Sequence, residues 1–170
     1  MNKLYVIDTS SLARLRPDND SSEYDVLIFP GIIEALQILI DEQRLFSSLL
    51  VYDELEDFGS VDDKLMKWIT INKDIFLPPT STIQRNARML ISRFPHWIEV
   101  EKKKNDADAF VVATAMELKA SIVTEETEIL MQPNTKKVKI PNVCKQLNLE
   151  CSNILSVFRN ENYKFIMAKE

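Results

Sequence analysis

Glycine occurs only twice in this chain of 170 residues, as Gly31 and Gly59, and histidine once, as His96. Two glycines cannot build a loop that cradles the phosphates of a nucleotide, so the dinucleotide-binding and P-loop classes are excluded. One histidine leaves little from which to build a serine–histidine triad or a Cys/His zinc site. Cysteine is scarce as well. Cys144 and Cys151 lack partners for a metal site and read as core or free thiols. No apolar run reaches the length of a membrane span, and MNKLYVIDTSS carries too short an apolar run for a secretory signal. With no such signal, reduced thiols imply a cytoplasmic setting. Basic residues are in deficit, 21 Lys plus Arg against 26 Asp plus Glu, which gives a formal charge of −5. Bulk charge therefore offers nucleic acid no attraction. A nucleic-acid enzyme stays open, because clustered metal-binding acids add negative charge while local basic patches hold phosphate.

What is present is the material of one globular domain: 45% hydrophobic and 28% charged residues, with no internal repeat or long linker. Leu4–Ile7 is an unbroken apolar run, as a buried parallel strand requires. Asp8, Thr9 and Ser10 follow it and can cap a short helix. Pro30 opens a helix whose apolar positions recur at helical spacing. Strands are further expected at Leu45–Ser48, at Ser121–Thr124 and at Lys137–Ile140. Helices are expected at Leu50–Phe58, at Val61–Ile71 (capped by Ser60), at Ser81–Phe94, from Asn105 to near Ala120, and from Pro141. Ser152 is a candidate cap for a last one. Strands alternating with helices predict a single α/β domain over 1–170, a mostly parallel sheet covered on both faces. Functional groups in such sheets gather beyond the carboxyl ends of the strands.

Acids fall repeatedly at that edge. Asp8 ends the first strand, Glu54 lies in the helix after the second, Asp106 and Asp108 open a later helix, and Glu125 and Glu126 leave the strand SIVT. Each has a plain structural reading as a cap, a dipole partner or a solvated residue, worth about 0.3–1 kcal/mol at a helix start. Together, without histidine or cysteine, they form a set of hard oxygen ligands suited to Mg²⁺ or Mn²⁺. Positions two apart on a helix diverge by about 200°, so Asp106 and Asp108 cannot both face one site.

The segments YVIDTSSLARL, VYDELE and DAFVVATAMELKASIVTEE resemble, in order and spacing, the motifs of PIN-domain ribonucleases, a family that includes the VapC-type toxins of bacterial toxin–antitoxin pairs. Trp68, the run Lys139-Ile140-Pro141-Asn142-Val143-Cys144 and the run Tyr163-Lys164-Phe165 resemble features of a little-characterised prokaryotic PIN-like subgroup. The likeness covers about residues 4–165. It implies a three-layer α/β/α sandwich and divalent-metal-dependent hydrolysis of RNA. By the same resemblance Asp8, Glu54 and Asp108 hold one or two Mg²⁺ or Mn²⁺ ions, and Glu126 completes the site directly or through water. Ser10 supports Asp8, and Glu125 is the reserve for Glu126. Asp106 has no regular counterpart in that family, and reads as a group that backs a ligand or simply caps the helix. Arg14, Arg85, Arg88 and Lys102, Lys103 and Lys104 are candidates for holding RNA phosphates.

The remaining features divide between uses. His96 beside Trp97, and Trp68, read as packing residues before substrate contacts. The tail FRNENYKFIMAKE can dock on the domain, form a homodimer surface or meet a protein antitoxin. The leading expectation is an endoribonuclease, the toxin of a toxin–antitoxin or phage-defence pair. Its main rival is a catalytically inactive PIN-like module that binds nucleic acid or protein. A phosphatase or phosphorelay receiver ranks last, because the DTSS start lacks the second aspartate that such phosphatases use.

Overall fold

The computed structural model describes residues 2–16, 24, 29–58, 64–95, 97, 107–130 and 138–166. Five strands, β1 (Tyr5–Ile7), β2 (Leu45–Ser48), β3 (Phe76–Leu77), β4 (Ser121–Val123) and β5 (Cys151–Ser152), form one sheet in the order β3-β2-β1-β4-β5. Every pairing is parallel, with Tyr5 opposite both Leu45 and Ser121. β1 lies at the centre and is buried along its whole length, which explains its continuous run of large apolar residues.

The chain winds outwards twice. From β1 it passes through α1 (Thr9–Ala13) and α2 (Pro30–Asp41) to β2, then through α3 (Leu49–Phe58) and α4 (Lys64–Ile71) to β3. It then returns across the sheet through α5 (Ser81–Arg93) and α6 (Ala107–Leu118) to β4 on the other side of β1, and through α7 (Ile140–Leu147) to β5. Right-handed crossovers in opposite directions place helices on opposite faces of the sheet. The result is the α/β/α sandwich that the sequence implies.

Local chemistry accounts for the main elements. Pro30 sits in the first turn of α2, where its missing N–H is no loss, and Ile32, Ala35, Leu36 and Leu39 form its buried stripe. α6 is apolar through its middle, with Ala107, Ala109 and the run Val111–Ala115 buried, and its charged residues stand only near its ends, at Asp108 and the exposed Glu117. It packs against both the sheet and α5, so little of its surface is left to keep polar. α7 stops at Asn148, which adopts the left-handed conformation (φ 53°, ψ 41°) that asparagine tolerates better than most residues. Trp68 is half-buried against the core and donates its indole N–H to Gln37. Trp97 packs edge-on to Phe94. Both tryptophans thus serve packing. The last helix, α8 (Ile154–Asn160), leads to Glu161, which receives Arg44 and the Tyr5 hydroxyl (2.6 Å) at the amino edge of the sheet.

Three sequence expectations need correction. Val138 and Lys139 are not strand, and Ile140 already belongs to α7. Pro141 at the helix start draws this segment into a helix, and Lys139 is extended only as its N-cap. The fifth strand is instead Cys151–Ser152, and the cap of α8 is Asn153, not Ser152. The proposed caps Ser60 and Asn105 lie outside the described residues.

Candidate functional site

In a parallel sheet wound in both directions, the crevice opens where the chain order reverses, here between the carboxyl ends of β1 and β4. Asp8 follows β1 and Thr124 follows β4, and Thr124 Oγ1 donates to Asp8 Oδ2 at 2.6 Å. Asp8 is 2% exposed. Its Oδ1 accepts the Ser11 N–H at 2.8 Å, so it does cap α1, and the Ser10 hydroxyl lies 2.8 and 3.0 Å from its two oxygens. Burial raises the carboxyl pKa, and the bonds from Thr124, Ser11 and Ser10 oppose that rise. The same hydroxyls then order the loop after β4. Ser10 Oγ accepts the Glu125 N–H and Thr124 Oγ1 accepts the Glu126 N–H, each at 3.1 Å.

Three more carboxylates share this crevice. Glu54, half-buried on α3, accepts a bond from Thr9 Oγ1 at 2.5 Å. Asp108 occupies the first turn of α6. Its pKa is pushed up to about 7, first by burial and then by the negative charges of Glu126, Asp8 and Glu54, while Lys139 lowers it. Glu126 pairs with the Lys139 ammonium through Oε1 and accepts the Ile140 N–H at 2.9 Å through Oε2. Glu125 turns elsewhere. Its Oε1 accepts the Ile154 N–H at 2.9 Å, joining the loop to the start of α8. The two neighbouring glutamates are thereby separated by environment, one within the acid cluster and one tied to a helix end.

Hard oxygen donors that repel one another match the needs of a hard divalent cation, which would relieve the charge that drives the Asp108 pKa upward. Asp8, Glu54 and Asp108 therefore fit such an ion by chemistry. Among the described residues, however, no three Asp, Glu, His or Cys side chains are grouped as a ready coordination set. Hydroxyls engage two of these carboxylates, Ser10 and Thr124 at Asp8 and Thr9 at Glu54, and the Lys139 ammonium engages Glu126.

The other candidates are dispersed. Arg14 is half-buried at the C-cap of α1. Arg85 and Arg88 are exposed on α5. The hydroxyl of Thr80, at the start of α5, donates to Glu117, at the end of α6 (2.7 Å), so the two helices run antiparallel. Arg85 thus stands towards the end of α6 that is remote from Asp108. Asp106, Lys102, Lys103, Lys104 and His96 lie outside the described residues. Cys144 is buried, Cys151 is half-buried, and both are free thiols. They line a cavity of about 550 Å³ beside Thr124 and Glu126. The sequence offered Thr9 only as a helix cap, Thr124 only as the last residue of a strand and Lys139 only within a motif, and none of them as a partner of the acids. The strand ends at Val123, so Thr124 follows it as Asp8 follows β1.

A family model described as "Domain of unknown function (DUF4411)" matches residues 5–165. No curated protein matches the chain. Among solved structures, the crystal structure of FitAcB from Neisseria gonorrhoeae superposes with a TM-score of 0.52. The match covers 89% of this chain and 99% of that one at 13% identity. At that identity the likeness concerns the fold alone, and it agrees with the α/β/α architecture.

Proposed function

The chain belongs to the DUF4411 family, and from that premise we propose that it is a metal-dependent endoribonuclease of PIN type. The observation that carries this reading is that Asp108, at the start of α6, is pushed up to about 7 by burial and then by the charges of Glu126, Asp8 and Glu54, which come from three other segments. Mutually repelling carboxylates are costly to keep together unless a cation is to be held. Asp8, Glu54 and Asp108 hold Mg²⁺ or Mn²⁺ in this proposal. The ion supplies Lewis-acid activation of water and neutralises charge at the leaving oxygen. Asp8 is kept in one orientation by Ser10, Ser11 and Thr124, and Glu54 by Thr9. Water would attack phosphorus directly and give up a proton, the P–O bond to the leaving strand end would break, and the departing oxygen would take up a proton, with no covalent bond to a side chain. RNA lies across the carboxyl edge. Arg14, at the C-cap of α1, is the proposed contact for a flanking phosphate, with Arg85 and Arg88, exposed on α5, as further candidates.

The motif resemblance to VapC-type toxins supports a toxin role with a protein antitoxin as partner, acting in the cytoplasm. No helix among the described residues is long and apolar enough to cross a membrane. A homodimer contact through the C-terminal tail belongs to the same proposal.

The test compares cleavage of RNA with Mg²⁺ or Mn²⁺ by wild type, Asp8→Asn and Asp108→Asn. Loss of a ligand removes several kcal/mol of transition-state stabilisation, about 100-fold or more in rate. Equal cleavage by all three proteins refutes the assignment. The engagement of the carboxylates by hydroxyls and Lys139 favours one second reading, a PIN-like module that binds without cleaving. That reading predicts no nuclease activity at any metal concentration and partner binding that survives Asp8→Asn.

A further inference from the structure

Four carboxylates at one edge repel the substrate as well as each other, because an RNA phosphodiester is itself an anion. A metal ion offsets part of that charge. The exposed arginines of α5 stand on an outer helix face, and Arg85 is towards its remote end. The ammonium group that the fold does bring to the acids is that of Lys139.

We propose that Lys139 is the phosphate-binding cation of the site, and that Glu126 is its positioning residue and not a fourth metal ligand. The inference rests on the endoribonuclease reading given above. Three observations carry it. Both oxygens of Glu126 are engaged from one dipeptide, Oε1 by the Lys139 ammonium and Oε2 by the Ile140 N–H at 2.9 Å. This two-point grip fixes the direction of the lysine side chain. Its backbone is fixed too, since Lys139 is the extended N-cap of α7 (φ −114°, ψ 154°), with Pro141 in the first turn.

Exposure then distinguishes the partners. The Glu126 side chain is 13% exposed and that of Lys139 38%, so the lysine is the partner that reaches solvent. Lys139 also lies within the fields of Asp108 and Asp8, over the same crevice. An ammonium at the rim of a metal-binding acid cluster is suited to a non-bridging oxygen of the phosphate beside the scissile bond. Lysine is a strongly hydrated point charge with rotatable donors, so it can retain Glu126 while it receives the phosphate.

The test uses the full chain. RNA binding is measured by fluorescence anisotropy with a labelled single-stranded oligonucleotide and Mg²⁺, from 25 to 200 mM KCl. The Asp8→Asn background keeps the RNA whole. A single-strand phosphate contact contributes about 0.7 to the slope of log affinity against log salt. Lys139→Met is expected to flatten the slope by about that amount and to weaken binding about five- to tenfold at 100 mM, whereas Lys139→Arg retains most of both. Lys145→Met, which removes an ammonium paired with Glu128, is the control and leaves the slope unchanged. Thermal melts show that each variant is folded.

In the Asp8-containing protein, calorimetric titration with Mn²⁺ then separates the two roles of Glu126. Glu126→Gln is expected to change Mn²⁺ affinity less than tenfold, and to add little to the RNA-binding loss of Lys139→Met when the two are combined. Three results overturn the proposal: an unchanged slope in Lys139→Met, a tenfold or greater fall in Mn²⁺ affinity in Glu126→Gln, or no RNA binding by the parent. If RNA binds with the expected slopes but no variant or wild type cleaves it, the nuclease reading fails and the Lys139 contact stands.

Discussion

Replacing Asp108 with asparagine is expected to make the metal-free protein more stable at pH 8, even though it removes a residue of the candidate site. Asp108 has a pKa of about 7 in the folded chain against an ordinary value of 3.8. Burial comes first among the causes, followed by the charges of Glu126, Asp8 and Glu54. A raised carboxyl pKa means that the folded state binds the proton more tightly than the unfolded state does. Stability is therefore lost as pH rises from about 4 through about 7 and is not regained above it. At 1.36 kcal/mol per pH unit the full penalty at pH 8 is about 4 kcal/mol. Solvent reaches the half-buried Asp108 and screens it, so about 2 kcal/mol is the expected gain for Asp108→Asn. In a domain of this size that is a melting temperature higher by about 4–8 °C in EDTA. Near pH 4 and below, both forms are neutral and the gap closes. Mg²⁺ reverses the order, since at 100 times its Kd it adds about 2.7 kcal/mol to wild type and much less to the variant. Scanning calorimetry at pH 4 and pH 8, with and without Mg²⁺, checks every part. Equal melting temperatures at pH 8 in EDTA, or a gap undiminished at pH 4, would refute the electrostatic argument.

Thr124→Val removes the 2.6 Å donor to Asp8 and the acceptor of the Glu126 N–H, and is expected to cost about 1–3 kcal/mol in urea denaturation. No loss would mean that water replaces the hydroxyl. At the opposite edge, Arg44 holds the Glu161 carboxylate below its usual pKa. Its contribution is present above about pH 4.5 and fades as pH falls through the depressed value. Glu161→Gln is thus expected to lower stability by about 1–3 kcal/mol at pH 7 and by little at pH 3, and an equal deficit at both would contradict the ion-pair account.

The central layer was legible because buried parallel strands leave a compositional trace. Tyr5–Ile7 and Ser121–Val123 are apolar or small throughout, and α2 shows its stripe at Ile32, Ala35, Leu36 and Leu39. The edge strands left no such trace. Phe76–Leu77 and Cys151–Ser152 are two residues each, too short for any periodicity. At KVKI, Val138 and Ile140 are both buried and alternate as in a strand, yet a proline at the helix start decides for helix. For the candidate site, Asp8, Asp108 and Glu126 stood out because each lies where a strand ends or a helix begins, whereas Glu54 lies inside α3 and carries no such local mark. The partners of the acids did not stand out. Strand order is a long-range property, and nothing local places Thr124 beside Asp8 or Lys139 beside Glu126.

That long range has a bearing on how the protein is made. The Thr124–Asp8 bond joins residues 116 positions apart, and β1 is flanked on one side by β4, which is made only after β2 and β3. Asp8 cannot receive its hydroxyl, nor Asp108 its neighbours, until the chain past residue 126 has left the ribosome, and Lys139 must follow. Until that segment emerges, a nascent chain carries these acids scattered on an incomplete sheet, and the crevice between β1 and β4 does not yet exist.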